Sequence, residues 1–577
     1  MTFLPIIDRE LRVAARKRST FWLRVASALV GMVIGGAIMM LSRVGAFGPS
    51  TMGNALFVVL TWLALLVALT AGLFFTADCL SEEKREGTLG FLFLTDLRGY
   101  DVAGGKLLAT SLRVTFALMS IIPILAVAFL MGAVSGPQYW KTALALLNAL
   151  FCSLSAGLMV SALSRDAQKA LGATVLLLLL LVLGGPAADG IYAHNRGRMF
   201  TPVLSLASPA YVFTLAGAWG RSPYWRALGV SHAVGWGLLA LACLSVPRSW
   251  QERPRRPRAS RRSYWWRYGG VRRRQALRRK LLDRNPILWL CCRERWQSIV
   301  MWGVSLIVAA VLATLMIWKA RYANSPLWIG GWGTLSWLFV ALVFLWMASQ
   351  AGRFYLAARR SGLLEAILAT PLSVKEVVQG PWRALVRTFG PPVALLLVVQ
   401  LVGGSLAYRA TWGGGIPHTW SNLAALATSA ASTLSTLASL AALAWFSMWM
   451  GMTSRNASLI TLKTIVLVKV IPFLVIYFVT MYAIAFLVIL PQTMRMGAAS
   501  GPPVTTTSTN ASGTTTTFAY TATSSTMTPL FISLLMTCLP AVLNVGVDLG
   551  FIALARSRLH STLRQQAAGI FGSIRGK

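Results

Sequence analysis

Carboxylate and imidazole side chains are scarce in this chain, which argues against most enzymatic chemistry. Only 16 of its 577 residues are aspartate or glutamate, and only four are histidine. No H-E-x-x-H pair, no G-x-S-x-G turn and no His/Cys cluster with metal-ligand spacing occurs, so neither a familiar hydrolase nor a metal centre is indicated. We therefore expect a chain that is not an enzyme and that binds no metal.

Paired cysteines are also missing. The six cysteines contain no C-x-x-C pair, and none falls in a predicted external loop; they are Cys79, Cys152, Cys243, Cys291, Cys292 and Cys538. Neither a disulfide framework nor a thiolate metal site is supported, so small buried hydrophobes are expected.

The stretch GYDVAGGKL resembles a phosphate-binding loop but lacks its required residues. The stretch GYDVAGGKL places Gly99 and Gly104 at the Walker A separation, but Lys106 comes one position late and Leu107 replaces the required Ser or Thr. The chain is therefore expected to bind no cofactor and no ATP of its own.

Long apolar runs are abundant. Hydrophobic residues make up 56% of the chain and charged residues only 12%, against about 25% charged in soluble domains. Runs of about 20 apolar residues are long enough to cross a bilayer. Twelve spans are predicted, at about 22–41, 55–75, 107–131, 142–163, 169–187, 229–246, 299–318, 329–349, 384–407, 424–452, 459–488 and 529–554.

The net charge of +38 fits a membrane topology better than nucleic-acid binding. If the N-terminus is cytoplasmic, most of the 54 Lys and Arg residues fall on the cytoplasmic side, as the positive-inside rule requires. We therefore expect both termini in the cytoplasm, membrane lipids as partners and no nucleic acid.

The sequence repeats itself. Gly87, Thr95 and Gly105 match Gly362, Thr370 and Gly380 at a shift of 275 positions. A second echo, SRDA from 164 and SRNA from 454, is shifted by 290 and follows the fourth and tenth predicted spans. Together with the apolar runs, these two ordered matches predict the fold class. We expect an all-α polytopic membrane protein of about 12 transmembrane helices, arranged as two parallel six-helix repeats.

Three regions follow from this repeat. Residues 1–246 are predicted to form the first six-span half, 247–284 a basic cytoplasmic linker, and 285–577 the second half. The linker is expected to dock on anionic headgroups, with a regulatory or nucleic-acid role as the alternative. The Thr-rich external loop at about 491–528 is expected to be flexible or weakly β.

Only one carboxylate, Asp548, lies inside a predicted span. It is expected to pair with Arg556 or Arg558 or to cap the bundle interior. An ion or proton site is the alternative.

Two segments carry a family resemblance. The run TADCLSEEKREGTLGFLFLTDLRGYDVAGGK and its echo RRSGLLEAILATPLSVKEVVQG resemble a segment between the second and third spans of permease subunits of type-2 ATP-binding-cassette exporters. RELRVAARKRSTFW and NPILWLCCRERWQ resemble the family's entry segments. The chain looks like two such six-span units fused.

The resemblance implies a coupling helix that contacts an ATPase subunit. We call residues 82–106 the first coupling segment and 359–380 the second. The first is predicted to act through Glu83, Glu86, Gly87, Thr88, Leu89, Leu92, Thr95, Leu97, Gly105 and Lys106, and the second through Arg360, Gly362, Leu364, Glu365, Thr370, Pro371, Leu372 and Gly380.

The residues suit that role. Leu89, Leu92 and Phe93 recur at helical spacing and predict one apolar stripe. A surface helix lying on lipid is the alternative. The family pattern is broken by Asp96 in T-D-L, by Leu363 in place of Thr, and by Pro381 after Gly380.

The resemblance further implies an exporter permease in the inner membrane. ATP would be bound by separate ABC ATPase subunits, two copies being expected, and further complex subunits are compatible with this arrangement. The alternatives are a polytopic membrane enzyme acting on lipid-linked substrates and a membrane scaffold without transport. The first requires a catalytic cluster, which the sequence does not show.

Overall fold

The computed structural model is helical over most of its length. It describes residues 49–94, 98–196, 201–217, 223–249, 270–293, 326–412, 418–486, 505–509, 515–519 and 527–575, apart from 133, 455 and 485, together with parts of 25–36 and 298–314. The first predicted entry segment, most of the predicted linker and much of the Thr-rich loop lie outside these residues.

The chain divides into two compact units, Met1–Arg256 and Pro257–Lys577. The boundary falls inside the predicted linker. Each unit has an apolar core of its own, which includes Leu154 in the first and Leu443 in the second. The division into two six-span halves stays a prediction, because the first span lies largely outside the described residues.

Between residues 49 and 249, the first unit contains ten described α-helices with two π-helical turns and one 3₁₀ turn. The helices are α1 Pro49–Ala71, α2 Cys79–Glu86, α3 Thr88–Phe93, α4 Gly99–Met119, α5 Ile122–Leu130, α6 Gly136–Leu163, α7 Ala167–Leu179, α8 Gly185–Asn195, α9 Pro209–Ala216 and α10 Tyr224–Ser249. The π-helical turns are Gly72–Thr76 and Leu180–Gly184, and the 3₁₀ turn is Ser205–Ala207.

The second unit is also helical. Its described helices are α11 Val271–Leu282, α12 Pro286–Cys292, α13 Pro326–Ala351, α14 Arg353–Arg360, α15 Leu363–Leu368, α16 Val374–Trp412, α17 His418–Thr453, α18 Ala457–Ile465, α19 Ile471–Ile484 and α20 Met527–Arg575. A π-helical turn, Val466–Val470, joins α18 to α19.

Ten described helices are long and apolar enough to cross a membrane. They correspond to ten of the twelve predicted spans and confirm an all-α, multi-pass membrane protein. The other two, near 22–41 and 299–318, lie partly outside the described residues. A shorter apolar helix, Met301–Val311, falls within the second of these.

One central helix organises each unit. In the first, α6 is buried along most of its length and packs against α1, α9 and α10. In the second, α17 takes the equivalent place, is buried mainly over residues 439–452, and packs against α13, α16 and α20. The helix α6 begins after an extended Ser135, with Pro in its first turn, and ends at an extended Ser164. A proline is tolerated there because the first-turn N–H groups have no partner in the helix.

A close helix crossing in the first unit depends on glycine. A Cβ added to Gly157 on α6 would overlap the carbonyl oxygen of Gly72, where α1 passes into the π-helical turn. The Ser153 hydroxyl accepts the Gly72 N–H at 2.8 Å and donates to the Leu69 carbonyl at 2.6 Å. The irregular turn thus keeps its backbone groups paired, as hydrocarbon surroundings demand.

The second unit has the same kind of crossing. Gly352 lies against Ser447, and a Cβ on Gly451 would come within about 2.5 Å of the Gly352 carbonyl oxygen. The Ser447 hydroxyl donates to the Ala348 carbonyl at 2.6 Å. A glycine pair and a serine hydroxyl therefore bring α17 against the end of α13.

The Thr-rich loop contains a short antiparallel hairpin. Strand β1, Thr505–Thr509, pairs with β2, Thr515–Ala519, with Thr507 opposite Thr517. This fits the expectation of weak β structure, since β-branched threonine favours strands.

Gly157→Ala is expected to destabilise the first unit, because the added methyl group has no room at the crossing. Overpacking of this kind costs about 1–3 kcal/mol. The measurement is the thermal unfolding midpoint of the purified full chain in detergent. Gly172→Ala is the control, since a Cβ at this α7 position meets nothing within 4 Å; equal midpoints for the two variants would contradict the crossing.

Candidate functional site

The first coupling segment is a helix, a glycine hinge and a second short helix. The helix α2 ends at Gly87, whose φ of 73° lies in the left-handed region. Non-glycine residues adopt this conformation at a cost of about 1 kcal/mol or more. A Cβ at Gly87 would meet nothing within 4 Å, so the backbone angle, and not lack of space, requires glycine before α3.

The second coupling segment repeats this arrangement. The helix α14 ends at Arg360, and Gly362 has a φ of 70° immediately before α15. Gly87 and Gly362 are the positions that the sequence shift of 275 matched. The two glycines therefore occupy the same structural position in their respective units.

Matched acids begin the next long helix in each unit. The Asp101 carboxylate accepts the Arg98 N–H at 3.0 Å at the start of α4. The Glu376 carboxylate accepts both the N–H and the hydroxyl of Ser373 at 2.9 Å at the start of α16. An acid that satisfies a first-turn N–H is a standard helix cap, and it fixes where the coupling segment stops.

A basic side chain ties each hinge to the buried central helix. The Lys84 ammonium donates to the Ala162 carbonyl near the end of α6. The Arg359 guanidinium donates to the Met452 carbonyl near the end of α17. Lys84 and Arg359 match at the shift of 275, and Ala162 and Met452 at the shift of 290, so the contact is the same in both units.

Further polar contacts hold α2 in the first unit. The guanidinium of Arg85 pairs with Asp78 at 2.9 Å and donates to the Arg165 carbonyl at 3.2 Å. Glu83 and Lys106 form an ion pair at 2.7 Å that joins α2 to α4. The short helix α3 thus lies between two helices that are fixed to each other.

The second unit replaces the Glu83–Lys106 pair by packing from α12. A Cβ on Gly380 would lie 2.8 Å from the Ile287 side chain. The Asn285 side-chain amide caps α12 and donates to the Glu376 carbonyl at 2.9 Å. The predicted entry segment NPILWLCC therefore contacts the end of the second coupling segment.

The predicted residues of the first coupling segment divide by exposure. Glu86, Gly87 and Thr88 are exposed, Glu83 and Lys106 are half-buried, and Leu89 and Gly105 are buried. Leu92 lies within α3, but the structure does not describe its side chain. Thr95 and Leu97 lie outside the described residues.

The predicted residues of the second coupling segment divide in the same way. Arg360, Gly362, Glu365, Thr370 and Pro371 are exposed, Leu372 is half-buried, and Leu364 and Gly380 are buried. Leu364 matches Leu89, and both pack into the core of their unit.

The sequence reasoning missed two exposed apolar side chains. Phe91 and Leu94 are 71% and 77% exposed at the first coupling segment. Leu89 and Phe93 form the inward stripe, with Leu89 buried and Phe93 packed against the core. Helical periodicity alone places Phe91 and Leu94 outside that stripe, so it could have identified both as outward-facing.

The predicted partner of Asp548 was wrong. Asp548 on α20 is buried and pairs with Lys469 at 3.2 Å, and the Ser439 hydroxyl of α17 donates to it at 2.6 Å. Arg556 instead lies over the Trp445 ring. A lysine inside the apolar run TIVLVKVIPF was the available signal, because such a residue needs a partner in hydrocarbon.

Lys469 lies in the π-helical turn Val466–Val470. Its ammonium also lies 5.4 Å from the centre of the Phe344 ring. Aromatic and carboxylate contacts together offset part of the cost of holding an ammonium away from water. Three helices of the second unit thus meet at one ion pair.

Neutral groups meet at the corresponding helix contact of the first unit. The Asn148 amide donates to the Ser231 hydroxyl at 2.9 Å between α6 and α10. His232 contacts the Asn148 carbonyl oxygen through Nδ1 at 3.2 Å and accepts the Trp236 indole N–H at 3.0 Å. These side chains satisfy one another, so they point to packing and not to ligand binding.

The six cysteines are free thiols, with Cys152 buried and the others half-buried. Burial raises the pKa of the Cys291 and Cys292 thiols above the ordinary value. Both side chains therefore stay protonated at neutral pH and act as packing groups.

One family comparison bears on this site. Residues 4–245 match the family model described as ABC-2 family transporter protein. The match contains the whole first coupling segment, and the second unit lies outside it. A search of the curated proteins found no match. The match supports the family resemblance over the first unit, whereas the fusion of two such halves stays a prediction.

Gly87→Ala is expected to loosen the first coupling segment, because alanine at a φ of 73° costs about 1–2 kcal/mol. Amide hydrogen exchange of peptides covering 82–94 should rise by about fivefold or more. Gly104→Ala is the control, because Gly104 lies inside α4 with no neighbour near its Cβ. Unchanged exchange in the Gly87 variant would show that the hinge does not depend on glycine.

Asp548→Val is expected to destabilise the chain by about 3–5 kcal/mol, because it leaves the Lys469 ammonium buried without its carboxylate. The double variant Lys469→Met/Asp548→Val should recover most of this loss, since two apolar residues of similar size can replace a buried pair. Thermal unfolding of the purified chain measures both. A double variant as unstable as the single one would show that the pair does not act as a unit.

Proposed function

We propose that this chain, whose residues 4–245 match the family model described as ABC-2 family transporter protein, is the permease subunit of an ATP-driven exporter. It spans the inner membrane with both termini in the cytoplasm. Two separate ABC ATPase subunits supply ATP hydrolysis, and this chain holds no ATPase site. One observation carries the proposal: each unit joins an exposed short helix, through a glycine hinge and a basic side chain, to its buried central helix.

That connection suits the transmission of force. A motor moves a helical bundle only through contacts that hold when they are pushed. The contact of Lys84 with the Ala162 carbonyl links α2 to the end of α6, and the Glu83–Lys106 pair links α2 to α4. A displacement of α3 therefore reaches two long helices of the first unit at once.

The exposed face of α3 suits a protein partner. Phe91 on α3 and Leu94 directly after it are exposed, next to the exposed polar residues Glu86 and Thr88. Large apolar residues bordered by polar ones are typical of protein interfaces. The surface therefore offers apolar anchors on which an ATPase subunit can close.

The charge pattern supports the orientation. The exposed basic residues Arg85 and Arg360 lie at the two hinges. Basic residues at span ends favour the cytoplasmic side. Both coupling segments then face the compartment that contains ATP.

The first test is purification of the tagged full chain from its native membranes. An ABC ATPase subunit is expected to co-purify, and the complex should hydrolyse ATP after reconstitution. If no ATPase associates under conditions that keep the chain folded, the proposal is wrong.

The second test breaks the connection. Lys84→Met and Arg359→Met should leave the ATPase subunits bound but reduce coupled transport by about tenfold, the upper part of the range for coupling-network changes. Lys463→Met is the matched control, since Lys463 is exposed on α18 and makes no ion pair within the described part of the chain. Equal transport in all three variants would contradict the role of the basic contacts.

A further inference from the structure

The helix α11 is strongly basic. Its sequence, VRRRQALRRKLL, contains five arginines and one lysine and no acidic residue. Arg272, Arg278, Arg279 and Lys280 are exposed. Such a dense cluster of positive charges needs either an anionic partner or free contact with water.

The apolar side of α11 is held against the protein. Leu281 is buried, and Leu277 packs beside it against Leu288 of α12 and Ala384 of α16. The basic side chains therefore lie outside the apolar contact of Leu277 and Leu281 or at its edge. The helix is a fixed part of the second unit, so its charges are presented in a defined place.

That place is the level at which α16 enters the membrane. Ala384 belongs to the candidate span Val374–Leu406, and Arg383 and Arg387 on either side of it are exposed. Exposed guanidinium groups avoid hydrocarbon and stay at the interface. Because α11 packs against Ala384, its basic residues lie at the same depth as these two arginines.

Among the described residues, no carboxylate neutralises this surface. Within the described part of the chain, no carboxylate forms an ion pair with Arg272, Arg278, Arg279, Lys280, Arg383 or Arg387. We call these six residues the basic face. The nearest acid in sequence, Asp283, is itself exposed and unpaired among the described residues.

We propose that the basic face binds the headgroups of anionic phospholipids. The positive charge of this face requires an anionic ligand. Because Arg383 and Arg387 place the face at the membrane surface, the ligand is expected to be part of that surface. Guanidinium groups also match phosphate oxygens in geometry. A soluble acidic partner would satisfy the charge but not the depth.

The bound headgroups would stabilise the start of α16. The helix α12, which packs against α11, donates from Asn285 to the Glu376 carbonyl and packs Ile287 against Gly380. Both contacts fall at the end of the second coupling segment. Anionic lipid therefore favours an ordered second coupling segment, a regulatory consequence that rests on the proposed function.

The binding test uses the full chain in lipid nanodiscs with spin-labelled phosphatidylglycerol or phosphatidylcholine. The motionally restricted fraction of each lipid gives the preference of the protein for the anionic headgroup. The native chain should prefer phosphatidylglycerol. Arg278→Gln/Arg279→Gln/Lys280→Gln should reduce that preference by about threefold or more.

A charge-preserving variant controls for structure. Arg278→Lys/Arg279→Lys keeps the charge and should keep most of the preference, whereas damage to the fold would lower it in both variants. An unchanged preference in the glutamine variant overturns the proposal. So does displacement of bound phosphatidylglycerol by an oligonucleotide or an acidic peptide, which would assign the face to another class of partner.

The regulatory consequence has a separate readout. ATP hydrolysis by the purified complex should rise with the phosphatidylglycerol fraction for the native chain and stay flat for the glutamine variant. Lipid preference without lipid-dependent hydrolysis leaves headgroup binding intact and overturns only the regulation. A chain that binds phosphatidylglycerol but recruits no ATPase overturns the proposed function and not the lipid site.

Discussion

A helix in hydrocarbon must pair every backbone N–H and C=O group inside the protein, and the coupling arrangement of each unit depends on how this is done. In the first unit α1 passes into a π-helical turn after Ala71, and the Ser153 hydroxyl pairs both the Gly72 N–H and the Leu69 carbonyl. The following helix, α2, contacts α6, where Lys84 reaches the Ala162 carbonyl. The same buried helix therefore contacts both the π-helical turn and the hinge.

The second unit reaches a similar arrangement with a different register. Gly72 precedes its hinge glycine by fifteen residues, whereas Gly352 precedes Gly362 by ten. On the central helix, Gly157 precedes Ser164 by seven residues and Gly451 precedes Ser454 by three. Both of these intervals are shorter in the second unit by four or five residues, about one helical turn, so its crossing lies closer to the hinge.

Hydropathy predicted ten of the described spans because about twenty apolar residues leave little choice of structure. The hinge glycines were matched by sequence, although the left-handed backbone that requires them was not foreseen. Backbone carbonyls have no sequence signature, so the Ala162 and Met452 contacts could not be predicted. The Asp548 partner was missed because Lys469 lies 79 positions away, and local pairing on α20 seemed the simpler choice.

The Lys469–Asp548 pair belongs to the second unit, and the contact between α6 and α10 in the first uses Asn148, Ser231 and His232 instead. A symmetric dimer of identical chains would have to carry any such substitution twice, and two ion pairs in hydrocarbon would double the desolvation cost. A single chain with two units carries it once. Because both units belong to one chain, one unit can acquire chemistry that the other never has to tolerate.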